Sequence, residues 1–422
     1  ECLSIEESWL ALFNLEFDKE YTIDLSLLRP KGSTNNYGLV ASGAVSFAYI
    51  LLDLIKVIES ERKTIPVMSA YSRLNEVLRR GGLYKNGAIV LHTDIDSPNV
   101  HEFLASERED CPWVRLCLNL NQSANDKDIL LKALPSVRSG DLFLVKKVYQ
   151  DGQRLYHNVC LEVLLPHRGT CLLSHVNLGM TSYRTVVSAF EDAMRFLVNL
   201  HPNTKVDKDG YYLPPTVDKQ VGLGVIGLAN FLAYHKVKYK DFVQALKKEL
   251  DGESDNTLSH TLAKSIIDGY LVAARIAMSH NLERAFAVAP TANTSFYYRD
   301  FRGYTTTPEI SPPVSRSVIR VSETTEEKVV EYPPDVEIAA EVGWDVYFDL
   351  VDQWQRLMNI TGLAHSISAN WWSDVVVMNE EFINKWLDSN WLSLYYALPV
   401  SPEIQDKSEL ICDDLTCVSC AE

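Results

Sequence analysis

Asn158-Val159-Cys160-Leu161-Glu162 places three polar side chains at a spacing of two. In an extended backbone, successive side chains point to opposite faces. Asn158, Cys160 and Glu162 would then share one face, and Val159, Leu161 and Val163 the other. A thiol between an amide and a carboxylate suits chemistry on a vicinal diol: a sulfur radical takes a carbon-bound hydrogen while the carboxylate takes the neighbouring hydroxyl proton. On these five residues alone, a half-exposed strand with a filler cysteine is the simpler account.

The segment that follows changes the balance. Cys171 lies in Thr170-Cys171-Leu172-Leu173-Ser174-His175-Val176-Asn177-Leu178-Gly179. Further out, in chain order, come Leu28-Arg29-Pro30-Lys31-Gly32-Ser33, Gly43-Ala44-Val45-Ser46-Phe47, Gly222-Leu223-Gly224-Val225-Ile226-Gly227-Leu228, Pro290-Thr291-Ala292-Asn293-Thr294-Ser295 and Ser366-Ile367-Ser368-Ala369-Asn370. Together with Asn-x-Cys-x-Glu, these colinear segments resemble the large, catalytic subunit of ribonucleotide reductase. The resemblance runs almost from end to end. It implies a ten-stranded α/β barrel, two five-stranded parallel halves arranged antiparallel, with a finger loop through its centre. It also implies a catalytic barrel over residues 1–401, a redox-active cysteine tail over 402–422, and no amino-terminal ATP-cone domain.

Composition agrees with such a chain. At 422 residues and 46% hydrophobic it can bury a large core. A net charge of -16 argues against a general nucleic-acid surface, although a nucleotide pocket needs only local donors. No run approaches the roughly 18 apolar residues of a membrane span, and no basic-then-apolar leader opens the chain, so the expectation is a cytoplasmic protein. The lean architecture would suit a virus-encoded enzyme acting in host cytoplasm. Eight cysteines without a secretion signal do not read as a structural disulfide framework. Cys111 and Cys117 are expected in the core.

Apolar β-type runs alternate with amphipathic helices, as in α/β architecture. Strands are expected at Ala88 to His92, Val114 to Leu120, Leu142 to Tyr149 and the finger itself. Helices are expected at Val45 to Glu59, Thr185 to Leu200, Gly222 to Tyr234, His260 to His280, Trp344 to Asn359 and Glu380 to Trp391. Val318 to Glu331 reads as a hairpin, and the acidic stretch from Pro402 as a mobile arm.

The resemblance assigns roles. Cys160 is implied as the thiyl radical that takes the ribose 3′-hydrogen, Glu162 as the base for the 3′-hydroxyl, and Asn158 as the group that orients the substrate hydroxyls. Loss of the 2′-hydroxyl as water needs two electrons, and the implied donors are Cys171 and Cys2, closing to a disulfide. Cys412, Cys417 and Cys420 resemble the family's carboxy-terminal dithiol, which is renewed by thioredoxin or glutaredoxin; a zinc knuckle there would lack a fourth local ligand. Pro290, Thr291, Ala292, Asn293, Thr294 and Ser295 offer hydroxyls and backbone N–H groups for a substrate's phosphates. Arg29 and Lys31 are implied near an effector loop at a nucleotide-dependent homodimer contact, where nucleoside triphosphates would bind.

Leu394-Tyr395-Tyr396 resembles the tyrosine pair that carries an oxidising equivalent from a separate ferritin-like, metal-bearing subunit. The metal centre is then expected in that partner, with no metal and no tightly bound cofactor in this chain. An adenosylcobalamin-dependent reductase is the alternative radical source. The implied substrate is a ribonucleotide, the resemblance leaving diphosphate and triphosphate both open. More distant readings are a NAD-dependent dehydrogenase and a cysteine-rich zinc or thiol interaction protein. The first rests on Gly222-Leu223-Gly224-Val225-Ile226-Gly227, which matches GxGxxG but follows Tyr212 to Gln220, a stretch with two prolines that cannot be a central strand. These glycines are therefore expected at close helix packing.

Overall fold

The computed structural model describes residues 53, 56–57, 60, 63–78, 89–121, 126–206, 210, 212–322, 325–372 and 379–398, with short pieces at 2–3, 22–23 and 410–412. Residues 2–3, 22–23, 76–78, 293, 319–322, 325–328, 370–372, 396–398 and 410–412 are described by their backbone. Of the expected helix from Val45 to Glu59, residues 53, 56 and 57 are described, as helix; the segments around Arg29, Lys31 and Gly43 to Phe47 lie outside this description.

The chain divides into two compact units. The first comprises Glu1–Leu118 and Asp126–Ala133; the second, Asn119–Asn125 and Leu134–Glu422. In the first unit, helix α1 (Thr64–Leu78) precedes β1 (Val90–Asp94), α2 (Val100–Leu104) and the start of β2 (Arg115–Leu120). Ser72 Oγ of α1 accepts from Trp113 N–H at 2.9 Å, and the carboxylate of Glu102 accepts from Ile65 N–H, which satisfies an orphan donor in the first turn of α1. Cys111 and Cys117 are buried, as expected. Helix α3 (Lys127–Ser139) spans the boundary between the units.

The second unit opens with β3 (Leu142–Lys146), β4 (Val148–Gln150) and β5 (Gln153–His157). Asp151 and Gly152 join β4 to β5 with φ of 50° and 77°. Two successive left-handed residues make the tight turn that suits the twist of a hairpin. Strand β6 (Leu164–Leu165) pairs antiparallel with β5, His157 opposite Leu164.

The rest is built on strand–helix–strand crossovers. Strand β7 (Leu173–Asn177) leads to α4 (Val186–Leu200), and β8 (Gln220–Ile226) to α5 (Leu228–His235), α6 (Tyr239–Leu250) and α7 (Leu258–Ser279). Strand β9 (Arg284–Val288) leads to α8 (Ala292–Tyr297), and, after the hairpin of β10 (Ser317–Ser322) and β11 (Thr325–Glu331), α9 (Trp344–Ile360) leads to β12 (Ala364–Ile367). The hairpin falls where expected, with Val318 opposite Val330. Strands β12, β9, β8 and β7 form one parallel sheet in that order. Then come β13 (Asn370–Trp372), α10 (Glu380–Asp388), β14 (Ser393–Leu394) and β15 (Tyr396–Leu398). Strand β14 pairs antiparallel with β3, and β15 parallel with β13. The architecture is mixed α/β with parallel sheets.

One expectation is overturned here. Gly222 to Tyr234 is not a single helix: Gln220–Ile226 is a fully buried strand, Gly227 turns the chain at φ 78°, and the helix starts at Leu228. The glycines pack strand against strand. A Cβ at Gly224 would lie 2.3 Å from the Ala287 carbonyl oxygen, and one at Gly222 would lie 2.4 Å from Leu173 Cδ2. A near-continuous apolar run is what a parallel strand covered on both faces requires, and it can be mistaken for a buried helix.

The register assigns the two faces of this sheet. Leu223 lies beside Ser174 and Phe286. Phe286 stacks on Tyr270 of α7 at 4.9 Å, and Tyr270 on Phe190 of α4 at 4.8 Å, so this face is covered by helices. Tyr270 OH also accepts from Trp354 Nε1–H of α9 at 2.9 Å. The opposite face therefore carries Leu173, His175 and Asn177, Gly222 and Gly224, and Ala285 and Ala287. Removing the Tyr270 hydroxyl would leave the buried indole N–H unpaired. Tyr270→Phe is expected to lose about 1–3 kcal/mol of stability, read as a lower urea midpoint at unchanged slope.

Candidate active site

The segment Asn158–Val163 forms the loop of the β5–β6 hairpin. The expected extended strand with alternating faces is not found. Leu161 has φ 68°, Leu161 N–H donates to Asn158 O at 3.0 Å, and Asn158 N–H donates to Val163 O at 2.9 Å. The Asn158 side chain closes the loop from within, Oδ1 accepting from Val163 N–H at 3.0 Å. His157 Nδ1–H donates to Leu161 O at 2.7 Å, which fixes that ring's tautomer. Folding the tip this way buries Cys160 at 7% exposure, and Leu161, Glu162 and Val163 at 2% or less. A leucine held in the left-handed region stores strain on the order of 1–3 kcal/mol.

The finger is docked on β12. Ser366 N–H donates to Glu162 O at 2.8 Å, and Leu164 N–H donates to His365 Nδ1 at 3.0 Å. His365 Nε2–H in turn donates to Val221 O on β8, also at 3.0 Å. Burial pushes the His365 pKa down to about 3, with the charge of Arg284 acting in the same sense, and burial pushes His175 down to about 4.

Loops that follow the carboxyl ends of the parallel strands gather beyond this point, as is usual for sites on α/β sheets. Asn177, at the end of β7, donates through Nδ2 to Arg299 O and to Thr306 Oγ1, both at 3.2 Å. Thr291, after β9, takes φ 49° and opens α8. Its hydroxyl accepts from Glu309 N–H at 3.1 Å, while buried Ser295 donates through Oγ to Ala292 O at 2.8 Å. Asn230 of α5 clamps the neighbouring loop, donating to Asp300 Oδ2 and Thr305 O and accepting from Thr307 N–H at 2.8 Å. The Thr307 hydroxyl is buried with no hydrogen-bond partner. Sequence reasoning missed this Thr305-Thr306-Thr307-Pro308-Glu309 segment. Its signal was three hydroxyls in a row before a proline, with no periodicity to place them.

Other expected site residues are spread more widely. Tyr395 is buried with its ring 5.0 Å from Phe143, and Tyr396, described by its backbone, pairs with Asn370. Two residues earlier, Ser393 Oγ lies 3.2 Å from Ser366 Oγ and donates to Ile367 O at 2.9 Å, linking this stretch to the strand that holds the finger. Cys171 is exposed, two residues before β7, and so level with Gln220 in the register. The finger is tied through Glu162 O to Ser366 of β12, which lies at the opposite edge of this sheet from β7. Cys2 lies in the first unit, its backbone beside Thr22. The backbone of Leu410–Cys412 runs parallel to β10, with Cys412 opposite Arg320. Cys417, Cys420, Arg29 and Lys31 lie outside the described residues. Among the described residues, no group of three or more His, Cys, Asp or Glu could hold a metal ion, and no helix is long and apolar enough to cross a membrane.

The depressed His365 pKa has a stability consequence. Between about pH 3 and 6.5 the unfolded chain binds a proton there that the folded chain does not, so stability falls as pH falls through this window. The slope from one such group is about 1.4 kcal/mol per pH unit. Urea unfolding from pH 7 to 4 should show it, and a His365→Asn protein should show a shallower fall.

No family model matches the chain, and no curated protein does. Among solved structures it is similar to an Actinobacillus ureae class Id ribonucleotide reductase alpha subunit, at 14% sequence identity and a TM-score of 0.50, over 99% of this chain and 85% of that one. At that identity the likeness is one of fold. The chain has the α/β fold of a ribonucleotide reductase alpha subunit.

Proposed function

We propose that this chain is the catalytic subunit of a ribonucleotide reductase. The observation that carries the reading is the finger: a thiol and a carboxylate, two residues apart, are buried at the tip of a hairpin tied to the end of a parallel sheet with Gly222, Gly224 and Ala287 on one face. The matching fold and the colinear segments support it.

In this reading a Cys160 sulfur radical takes the 3′-hydrogen of the sugar, forming S–H and leaving a carbon radical, while Glu162 accepts the 3′-hydroxyl proton. The 2′-hydroxyl leaves as water, a dithiol closing to a disulfide supplies two electrons and two protons, Glu162 returns its proton to the 3′-oxygen, and Cys160 returns its hydrogen to the 3′-carbon. Asn158 adds its amide N–H groups on the substrate side, its oxygen being used within the loop. The Pro290 to Ser295 loop binds the nucleotide's phosphates, with Asn293 and Thr294 at its centre. Residues 1–401 close as a ten-stranded barrel around the finger, and 402–422 act as a redox tail through Cys412, Cys417 and Cys420, renewed by thioredoxin or glutaredoxin. A ferritin-like metal subunit supplies the radical through Tyr396 and Tyr395; the hydrogen-bonded link from Tyr395's neighbour Ser393 to Ser366 and on to Glu162 supports that route. Nucleoside triphosphate effectors near Arg29 and Lys31, a homodimer and a cytoplasmic setting complete the proposal.

The test is ribonucleotide reduction by the purified chain with dithiothreitol, plus either a candidate ferritin-like subunit or adenosylcobalamin. Cys160→Ser should abolish product while leaving the fold and nucleotide binding intact; deoxynucleotide made by that protein would end the proposal, and turnover with the cobalamin alone would replace the partner subunit. For the reducing pair, Cys171→Ser should stop multiple turnover. Retained turnover would assign the electrons to other thiols.

A further inference from the structure

Histidine 365 does more than fill the core. It is fully buried, and each of its ring nitrogens has one backbone partner of a different kind: Nδ1 accepts from Leu164 N–H of the finger, and Nε2–H donates to Val221 O of the central strand β8. Strand β9 lies between β12 and β8, and opposite the helix-covered side it offers only Ala285 and Ala287 for the ring to cross. The backbone of the same dipeptide is used as well. His365 O accepts from Gln355 Nε2–H of α9 at 2.9 Å, and Ser366 N–H reaches Glu162 O.

We propose that His365 is a positioning residue for the reaction, a rigid strut that holds the finger, and with it Cys160 and Glu162, against the sheet. This rests on the function proposed above. Three short links make the strut: Leu164 N–H to the ring, the ring to Val221 O one residue before Gly222, and Ser366 N–H to Glu162 O. Together they pin both sides of Val163 and leave only the tip, Val159 to Leu161, to the hairpin's own hydrogen bonds. The role demands a neutral imidazole, because an imidazolium has no acceptor to offer Leu164. Burial lowers the ring's pKa and so favours that state.

The two ring nitrogens can be replaced one at a time. The Asn carbonyl sits near the Nδ1 position and can accept from Leu164, whereas the Gln amide nitrogen sits near Nε2 and can donate to Val221 but leaves Leu164 N–H without its acceptor. Full-length His365→Asn and His365→Gln proteins are compared with wild type by amide hydrogen exchange at Leu164 and by the rate at which N-ethylmaleimide labels Cys160 in the folded protein. Both variants should melt at similarly lowered temperatures. Exchange and labelling should stay near wild type in His365→Asn and rise about tenfold in His365→Gln, the factor expected for one lost buried hydrogen bond. With the radical source present, His365→Gln should lose kcat at unchanged KM, and His365→Asn should keep most of it. Equal exchange and labelling in the two variants would overturn the proposal and leave His365 a packing residue. If no protein, wild type included, reduces a ribonucleotide, the proposed function fails while the exchange and labelling results still decide the strut.

Discussion

The main-chain hydrogen bond from Ser366 N–H to the Glu162 carbonyl is the constraint on which the site depends. It joins a short hairpin to a sheet whose position is set by a large core. A hairpin in water is marginally stable at best. Docked by this bond and by the His365 ring, it can hold a leucine at positive φ and keep a carboxylate 2% exposed. The strain at Leu161 and the desolvation of Glu162 are both offset by burial and hydrogen bonds made elsewhere in the unit.

The sheet meets this demand through its small residues. A parallel sheet between covering layers has no solvent face, and here the layer over Phe286, Leu223 and Val225 is filled by Tyr270, Phe190 and their helices. On the other face Gly222 and Gly224 bring β8 so close to β9 that a methyl group at Gly224 would strike a carbonyl oxygen. The same thinness that excludes side chains there lets an imidazole span from β12 to β8. Packing on one face and room on the other are two consequences of one alternation.

Beyond the strand ends, order is kept by polar groups rather than apolar ones. Asn177, Asn230, Thr291 and Thr306 tie three loops to one another through side-chain hydrogen bonds, all of them buried or partly buried. Buried polar networks are costly when incomplete and rigid when satisfied. Such a network holds donors and acceptors in place beside the loop that begins at Thr291, and a chain with net charge -16 can keep an acidic exterior around it.

Local pattern carried much of the architecture. The amphipathic helices at Val186–Leu200, Leu258–Ser279 and Trp344–Ile360 begin within two residues of where periodicity puts them, and the hairpin expected at Val318 to Glu331 is found at Ser317–Glu331. Asp151-Gly152 was a readable hairpin turn that the strand pattern around it concealed. Two things were not legible. Gln220–Ile226 is apolar throughout, and an apolar run without alternation has no period to tell a strand from a helix until neighbours on both sides claim its hydrogen bonds. The finger's alternation pointed to an extended strand, but its backbone is turned by the Asn158 amide and by contacts to residues some 200 positions away, a distance from His365 and Ser366 at which no local rule operates. The sequence by itself determined which side chains could do the chemistry, because residue type sets the available thiol, carboxylate and phenols. Only the tertiary structure decided that Cys160 and Glu162 are buried together and Cys171 is not, because burial belongs to the packed sheet and not to the segment.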